Sequence, residues 1–252
     1  MVCARYNASM EASFLWGLLG ASSLLVGAGL ALRLRIPRRV LGLIMAFGVG
    51  VLISAVAYEL IEEAFNNYGG KSGGLAIALG LAAGASVFFI GDEIIDRLGG
   101  RRKNKTYPDN SGLAILLGTV LDGIPESMVI GLTILNGGVV SAAMVVAVFI
   151  SNLPEAIAAT AGLKATGWKS WRILGLWSVV VLISALAALA GYALFDAAQH
   201  GTTAFTLSFA GGALLTMLAD SMMPEAYKDS GKWVGLVTTL GFGLAFAISI
   251  LD

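Results

Sequence analysis

Eight long apolar runs divide the chain, roughly Phe14–Leu32, Val40–Phe65, Leu75–Ile95, Leu113–Leu135, Val139–Leu163, Trp171–Phe195, Ala204–Tyr227 and Trp233–Leu251. Each is near or above the ~20 residues that a helix needs to cross about 30 Å of hydrocarbon. The runs are continuous rather than alternating, which argues against a β-barrel. The pattern predicts an all-α fold: a polytopic membrane bundle of eight transmembrane helices, with residues 1–252 forming a single integral membrane domain.

Two of these runs are interrupted in the same way. Leu121-Asp122-Gly123-Ile124-Pro125-Glu126-Ser127 and Ile150-Ser151-Asn152-Leu153-Pro154-Glu155-Ala156 each place a Pro-Glu dipeptide and further polar residues near mid-span. A carboxylate at the bilayer centre costs about 3 kcal/mol on insertion scales, so it requires a partner, a cavity or a function.

The chain also matches itself. Phe47–Phe65 aligns without gaps on Phe209–Tyr227, with identities at Phe47/Phe209, Gly50/Gly212, Leu52/Leu214, Ala57/Ala219, Glu63/Glu225 and Ala64/Ala226. After a one-residue slip, Gly70-Lys71 meets Gly231-Lys232, and Leu79-Gly80 meets Leu240-Gly241. The two copies run in opposite directions through the predicted spans. The expected architecture is therefore an inverted repeat, helices 1–3 against helices 6–8, around central helices 4 and 5.

Composition and charge agree with that picture. Hydrophobic residues make up 57% of the 252 and charged ones only 13%, far too apolar for one water-soluble core. The 33 glycines suit close helix packing in lipid. The first run is followed by Arg33, Arg35, Arg38 and Arg39, so it reads as a retained span rather than a cleaved signal peptide. Every Lys and Arg except Arg5 and Lys71 then falls on one side of the membrane. By the positive-inside rule that side is the cytoplasm, and both termini are extracytoplasmic. Compact loops suggest a plasma membrane, a bacterial inner membrane ahead of a eukaryotic one. The zero net charge gives no sign of a nucleic-acid partner,. Cys3 is the only cysteine, which excludes an intrachain disulfide, a Cys-rich metal site and an iron–sulfur cluster.

The chemistry lies in the central pair. Pro125 and Pro154 cannot donate to the helix ladder, and they free the carbonyls of Leu121 and Ile150. Asp122 and Glu126 are four residues apart, and Ser151, Asn152 and Glu155 are three to four apart, spacings that put side chains on one helix face. Facing helices would present Asp122, Glu126, Asn152 and Glu155, with Ser151 and Ser127 nearby. Such an oxygen-lined pocket suits a divalent cation, whose charge offsets the repulsion between carboxylates.

These two Pro-Glu helices resemble the fourth and fifth helices of the ZIP (Zrt/Irt-like protein) family, whose motifs read approximately His-Asn-x-Pro-Glu-Gly. Asp220-Ser221-Met222-Met223-Pro224-Glu225-Ala226 resembles that family's acidic-x-x-x-Pro-Glu segment on the seventh helix. The resemblance implies a divalent metal transporter carrying zinc or related ions such as Mn, Fe or Cd toward the cytoplasm. Its metal site would be Asp122, Glu126, Asn152 and Glu155, with Asp220 as a further ligand. Asp122 stands where the family usually has His, and Gly123 where it has Asn. A site without imidazole or thiolate is harder, favouring less discriminating transport. No prosthetic group is expected beside the transported ion. The expected partners are divalent metal ions and the lipid bilayer, with a homodimer as the candidate assembly.

Other classes fare less well. An enzyme is not expected: the chain has no His-Glu-x-x-His motif, and its single histidine, His200, falls in a predicted outer loop,. The alternative is a secondary transporter or channel of the same fold for a non-metal solute or protons. Simpler roles also exist for the polar groups. Each Pro-Glu could be a kink with a protonated carboxyl. Glu59, Glu62 and Glu63 could be solvated interface residues or a cation-attracting entrance. Asp92, Glu93 and Asp96 would pair with nearby arginines, and Met222 and Met223 would pack.

Overall fold

A computed structural model describes residues 2–68, 71–97, 123–124, 126–134, 142–193 and 200–249, and every regular element among them is helical. Helix α1 is Val2–Arg33. Helix α2 runs from Arg38–Ala55 through a π-helical segment, Val56–Glu62, into Glu63–Tyr68. Helix α3 is Lys71–Arg97, and α4 covers residues 126–134. Helices α5 and α6 are Ala142–Ala165 and Ser170–Ala193. Helix α7 runs from His200–Met217 through a second π-helical segment, Leu218–Met222, into Met223–Ser230. Helix α8 is Trp233–Ser249.

Six of these helices are long and apolar enough to cross a membrane: Met10–Arg33, Arg38–Asn66, Gly73–Ile94, Met144–Ala165, Ser170–Ala193 and Ala204–Ser230. They fit a membrane helix bundle, the coarse form of the expected fold. Helix α8 is apolar but has 17 residues, about 26 Å at the α-helical rise. Residues 113–122 of the expected fourth span, Asp122 included, lie outside the described residues, as does the basic stretch Gly99–Lys105. Two boundaries differ from expectation. Helix α1 starts at Val2, well before Phe14, because Val2–Ser13 contains no Pro or Gly to break it,. His200 is the first residue of α7 rather than part of a loop.

The turns follow from local chemistry. Pro37 sits in extended conformation before α2 and accepts from the Val40 and Leu41 amides at 3.0 and 3.2 Å. Gly167 and Gly231 take φ of +86° and +61° after α5 and α7, a region that costs a side chain but not glycine. The Gly231 N–H closes α7 on Tyr227 O at 2.8 Å.

Packing separates the helices into two sets. Helices α1, α5 and α6 share one core, made by Ala21, Leu24 and Ala28, by Ala156, Ala159 and Leu163, and by Ile173, Trp177, Val180 and Val181. Within it the Trp177 indole donates to Thr160 Oγ1 at 2.8 Å, with both side chains buried. The second set pairs α3 with α7 and α2 with α8. Those pairs approach so closely that side chains are excluded at the crossings. A Cβ on Gly50 would fall on Thr238 O and the Phe242 amide of α8, and one on Gly212 would fall on Leu81 O of α3. Gly50 and Gly212 are matched positions in the internal alignment, and so are Val56 and Leu218, where the two π-helical segments begin. The sets meet where α2 lies along α5.

The outer faces carry large apolar side chains, among them Leu75, Val87 and Phe89 on α3, Val179 and Leu186 on α6, and Leu236 and Leu240 on α8. Water penalises such surface in proportion to its area, whereas lipid tails do not. Packing at the glycine crossings yields a direct expectation. Gly50→Ala should destabilise the protein by about 1–3 kcal/mol, the usual cost of overpacking. Gly243→Ala, with nothing within 4 Å of its added methyl, should leave stability unchanged or slightly higher; equilibrium unfolding in mixed micelles measures both.

Candidate cation site

Helices α4 and α5 bring one carboxylate and two neutral polar side chains together in the bundle interior. Glu126 is 1% exposed, Ser151 0% and Asn152 2%. The Ser151 hydroxyl stands 3.1 Å from Glu126 Oε1 and 3.3 Å from Oε2. Asn152 Nδ2 donates to Glu126 Oε2 at 3.3 Å and to Val148 O at 2.9 Å. Ser127, next to Glu126, is also buried.

The sequence creates this arrangement through α5. Pro154 lies inside the helix and has no N–H to offer Ile150 O, so the ladder is interrupted one turn earlier. Ser151 and Asn152 then turn back on their own helix, both within reach of Val148 O, a common habit of these side chains in helix interiors. The close approach of α2 completes the wall. Gly48 backs onto Ser151, where an added Cβ would sit 3.3 Å from the Ser151 Cα. Gly48 was not singled out by sequence reasoning. A glycine on the apolar run opposite the α5 motif is the one local signal.

Hydrogen accounting decides what the group can do. Ser151 has one hydroxyl proton but stands near both Val148 O, at 3.1 Å, and the two Glu126 oxygens. If it donates to the carbonyl, its remaining lone pairs face Glu126, a contact that a proton or a cation between the oxygens would relieve. Ser151 and Asn152 are both neutral, and neutral donors offset only part of the cost of burying a carboxylate. Asn152 Oδ1 is buried and has no hydrogen-bond partner among the described residues. Leaving such an acceptor empty costs about 1–3 kcal/mol, and it is a ligand type that hard divalent cations use.

Of the residues read from the sequence, Glu126 and Asn152 are joined directly. Glu155 is half-buried on the turn of α5 that follows Asn152. Asp122 and Pro125 lie outside the described residues. Asp220 is exposed, on the π-helical segment of α7, and no hydrogen bond or ion pair links it to the α4–α5 group among the described residues. Among the described residues, no three His, Cys, Asp or Glu side chains gather in a metal-holding group. The described core of the site is thus one carboxylate with a serine and an asparagine.

Compared with known proteins, the chain matches no family model and no curated protein.

The geometry predicts that Ser151→Ala, which removes the buried hydroxyl beside Glu126, will destabilise the protein by about 1–3 kcal/mol. Ser178→Ala removes a hydroxyl that only returns to Leu174 O on an exposed face and should stay within about 0.5 kcal/mol of wild type. Parallel unfolding curves in micelles give the comparison.

Proposed function

We propose that this protein is a multi-pass carrier for divalent transition-metal cations, zinc or related ions such as Mn, Fe and Cd, which it passes toward the cytoplasm between α4 and α5. The observation that carries this reading is the buried Glu126 carboxylate, held by Ser151 and Asn152 inside the bundle, beside an Asn152 oxygen with no donor among the described residues. Glu126 and Asn152 bind the ion, and Glu155 continues the oxygen path one turn along α5. Asp122 and Asp220 are the further ligands that the ZIP-like motifs suggest. The set offers only oxygen donors, so the carrier discriminates weakly among divalent ions. A cation arriving at Glu126 displaces a carboxyl proton, which couples transport to pH.

Transport follows alternating access. The set containing α1, α5 and α6, together with α4, shifts against α2, α3, α7 and α8. Helix α4 belongs with the first set because its Gly131 backs onto Ala188 O of α6, and Gly191 of α6 onto Met128 O. The inverted repeat behind this mechanism is supported by the π-helical segments starting at Val56 and Leu218. It is supported further by reciprocal crossings, Gly50 on Phe242 and Gly212 on Leu81. A plasma-membrane location with extracytoplasmic termini is favoured by the cations collected at the α1–α2, α5–α6 and α7–α8 turns,.

Proteoliposome uptake tests the reading. Wild type should take up at least one of Zn, Mn, Fe, Cd or Co saturably, and Glu126→Gln/Glu155→Gln should lower that uptake by about a hundredfold, the scale of losing one charged ligand interaction of ~3 kcal/mol. Proton flux without metal uptake by a folded, inserted protein would instead favour a carrier of the same fold for protons or another solute.

A further inference from the structure

The basic end of the bundle contains a surface that the transport reading does not use. The α1–α2 turn carries Arg33 and Arg35, and the α5–α6 turn carries Lys164, Lys169 and Arg172, all five exposed. These turns are far apart in sequence but joined in the fold, because the Lys164 ammonium donates to Leu32 O at 2.9 Å. That bond satisfies one C-terminal carbonyl of α1 and leaves two of the three ammonium donors available. No Asp or Glu occurs between Arg33 and Val40 or between Lys164 and Arg172, and no ion pair engages the five cations among the described residues. Beside them Trp171 is 67% exposed, with the Arg172 guanidinium 5.3 Å above its ring. An exposed tryptophan next to unneutralised cations, at the end of membrane-length helices, has the chemistry of the bilayer interface: ring among the upper acyl chains, charge at the phosphates.

We propose that the joined α1–α2 and α5–α6 turns form a retained site for the headgroup of an anionic phospholipid. Arg35, Lys169 and Arg172 supply charge to the phosphate, Lys164 fixes the two turns to one another, and Trp171 lies against the lipid chains. The site sits on the α1–α5–α6 set, so the bound lipid holds that set at the membrane surface. The proposal does not depend on which solute is carried.

The test uses the full chain purified in detergent, with retained lipid counted by native mass spectrometry after addition of phosphatidylglycerol or phosphatidylcholine of identical acyl chains. Wild type should retain about tenfold more of the anionic lipid, and Arg35→Gln/Lys169→Gln/Arg172→Gln should abolish that preference, since each basic residue near the surface contributes comparably. Lys71→Gln, outside the proposed site, should not change it. Equal retention of the two lipids by wild type would overturn the proposal, as would an undiminished preference in the triple variant. Displacement of the lipid by excess inorganic phosphate would also overturn it, by making the site one for a free anion. Arg35→Gln alone, on the exposed turn, should weaken the preference severalfold and keeps the test available if the triple variant does not fold.

Discussion

A carboxylate inside an apolar bundle is the constraint on which the rest of this structure turns. Glu126 is excluded from solvent, and an isolated charge there would cost several kcal/mol, a large share of the stability of an ordinary domain, about 5–15 kcal/mol. Two short neutral dipoles, the Ser151 hydroxyl and the Asn152 amide, both from α5, stand against it. Neutral dipoles of this kind can turn toward a proton or a metal ion at the carboxylate, which is the property the proposed carrier function draws on.

The surrounding helices make that arrangement tenable. Helix α5 can aim two successive polar side chains inward because Pro154 breaks its ladder, and α2 can come close enough to seal it because Gly48 presents no side chain. Elsewhere, glycine crossings hold α2 to α8 and α3 to α7 with backbone against backbone. Such surfaces interlock through shape rather than through long side chains. They can therefore stay assembled in lipid, where no hydrophobic force drives helices together. The interface between the two sets, along α2 and α5, lies beside Glu126 and its partners.

Much of this was legible in the sequence. Apolar runs long enough to span a bilayer located the six membrane-length helices, because continuous hydrophobicity in lipid admits little besides helix. The Pro-Glu motifs pointed to Glu126, Asn152 and Ser151, since polar groups at that depth need one another. The π-helical turns at Val56–Glu62 and Leu218–Met222 were not legible, because a one-residue bulge leaves no compositional mark. Asp220 illustrates another limit. Its place in a segment resembling the ZIP seventh-helix motif suggested a ligand, but a motif does not fix which way a helix faces, and the side chain is exposed in the described structure. Gly48 escaped notice because its role depends on a neighbour about a hundred residues away in sequence.

The first property to measure is whether the Glu126 group binds a divalent ion. Equilibrium dialysis of the purified full chain against Mn²⁺ and Zn²⁺, with bound metal counted per protein, measures this without requiring transport. Saturable binding of either ion, lost in Glu126→Gln and weakened in Asn152→Ala while both variants remain folded, is the predicted result. Binding that is absent from wild type, or undiminished in Glu126→Gln, would contradict it.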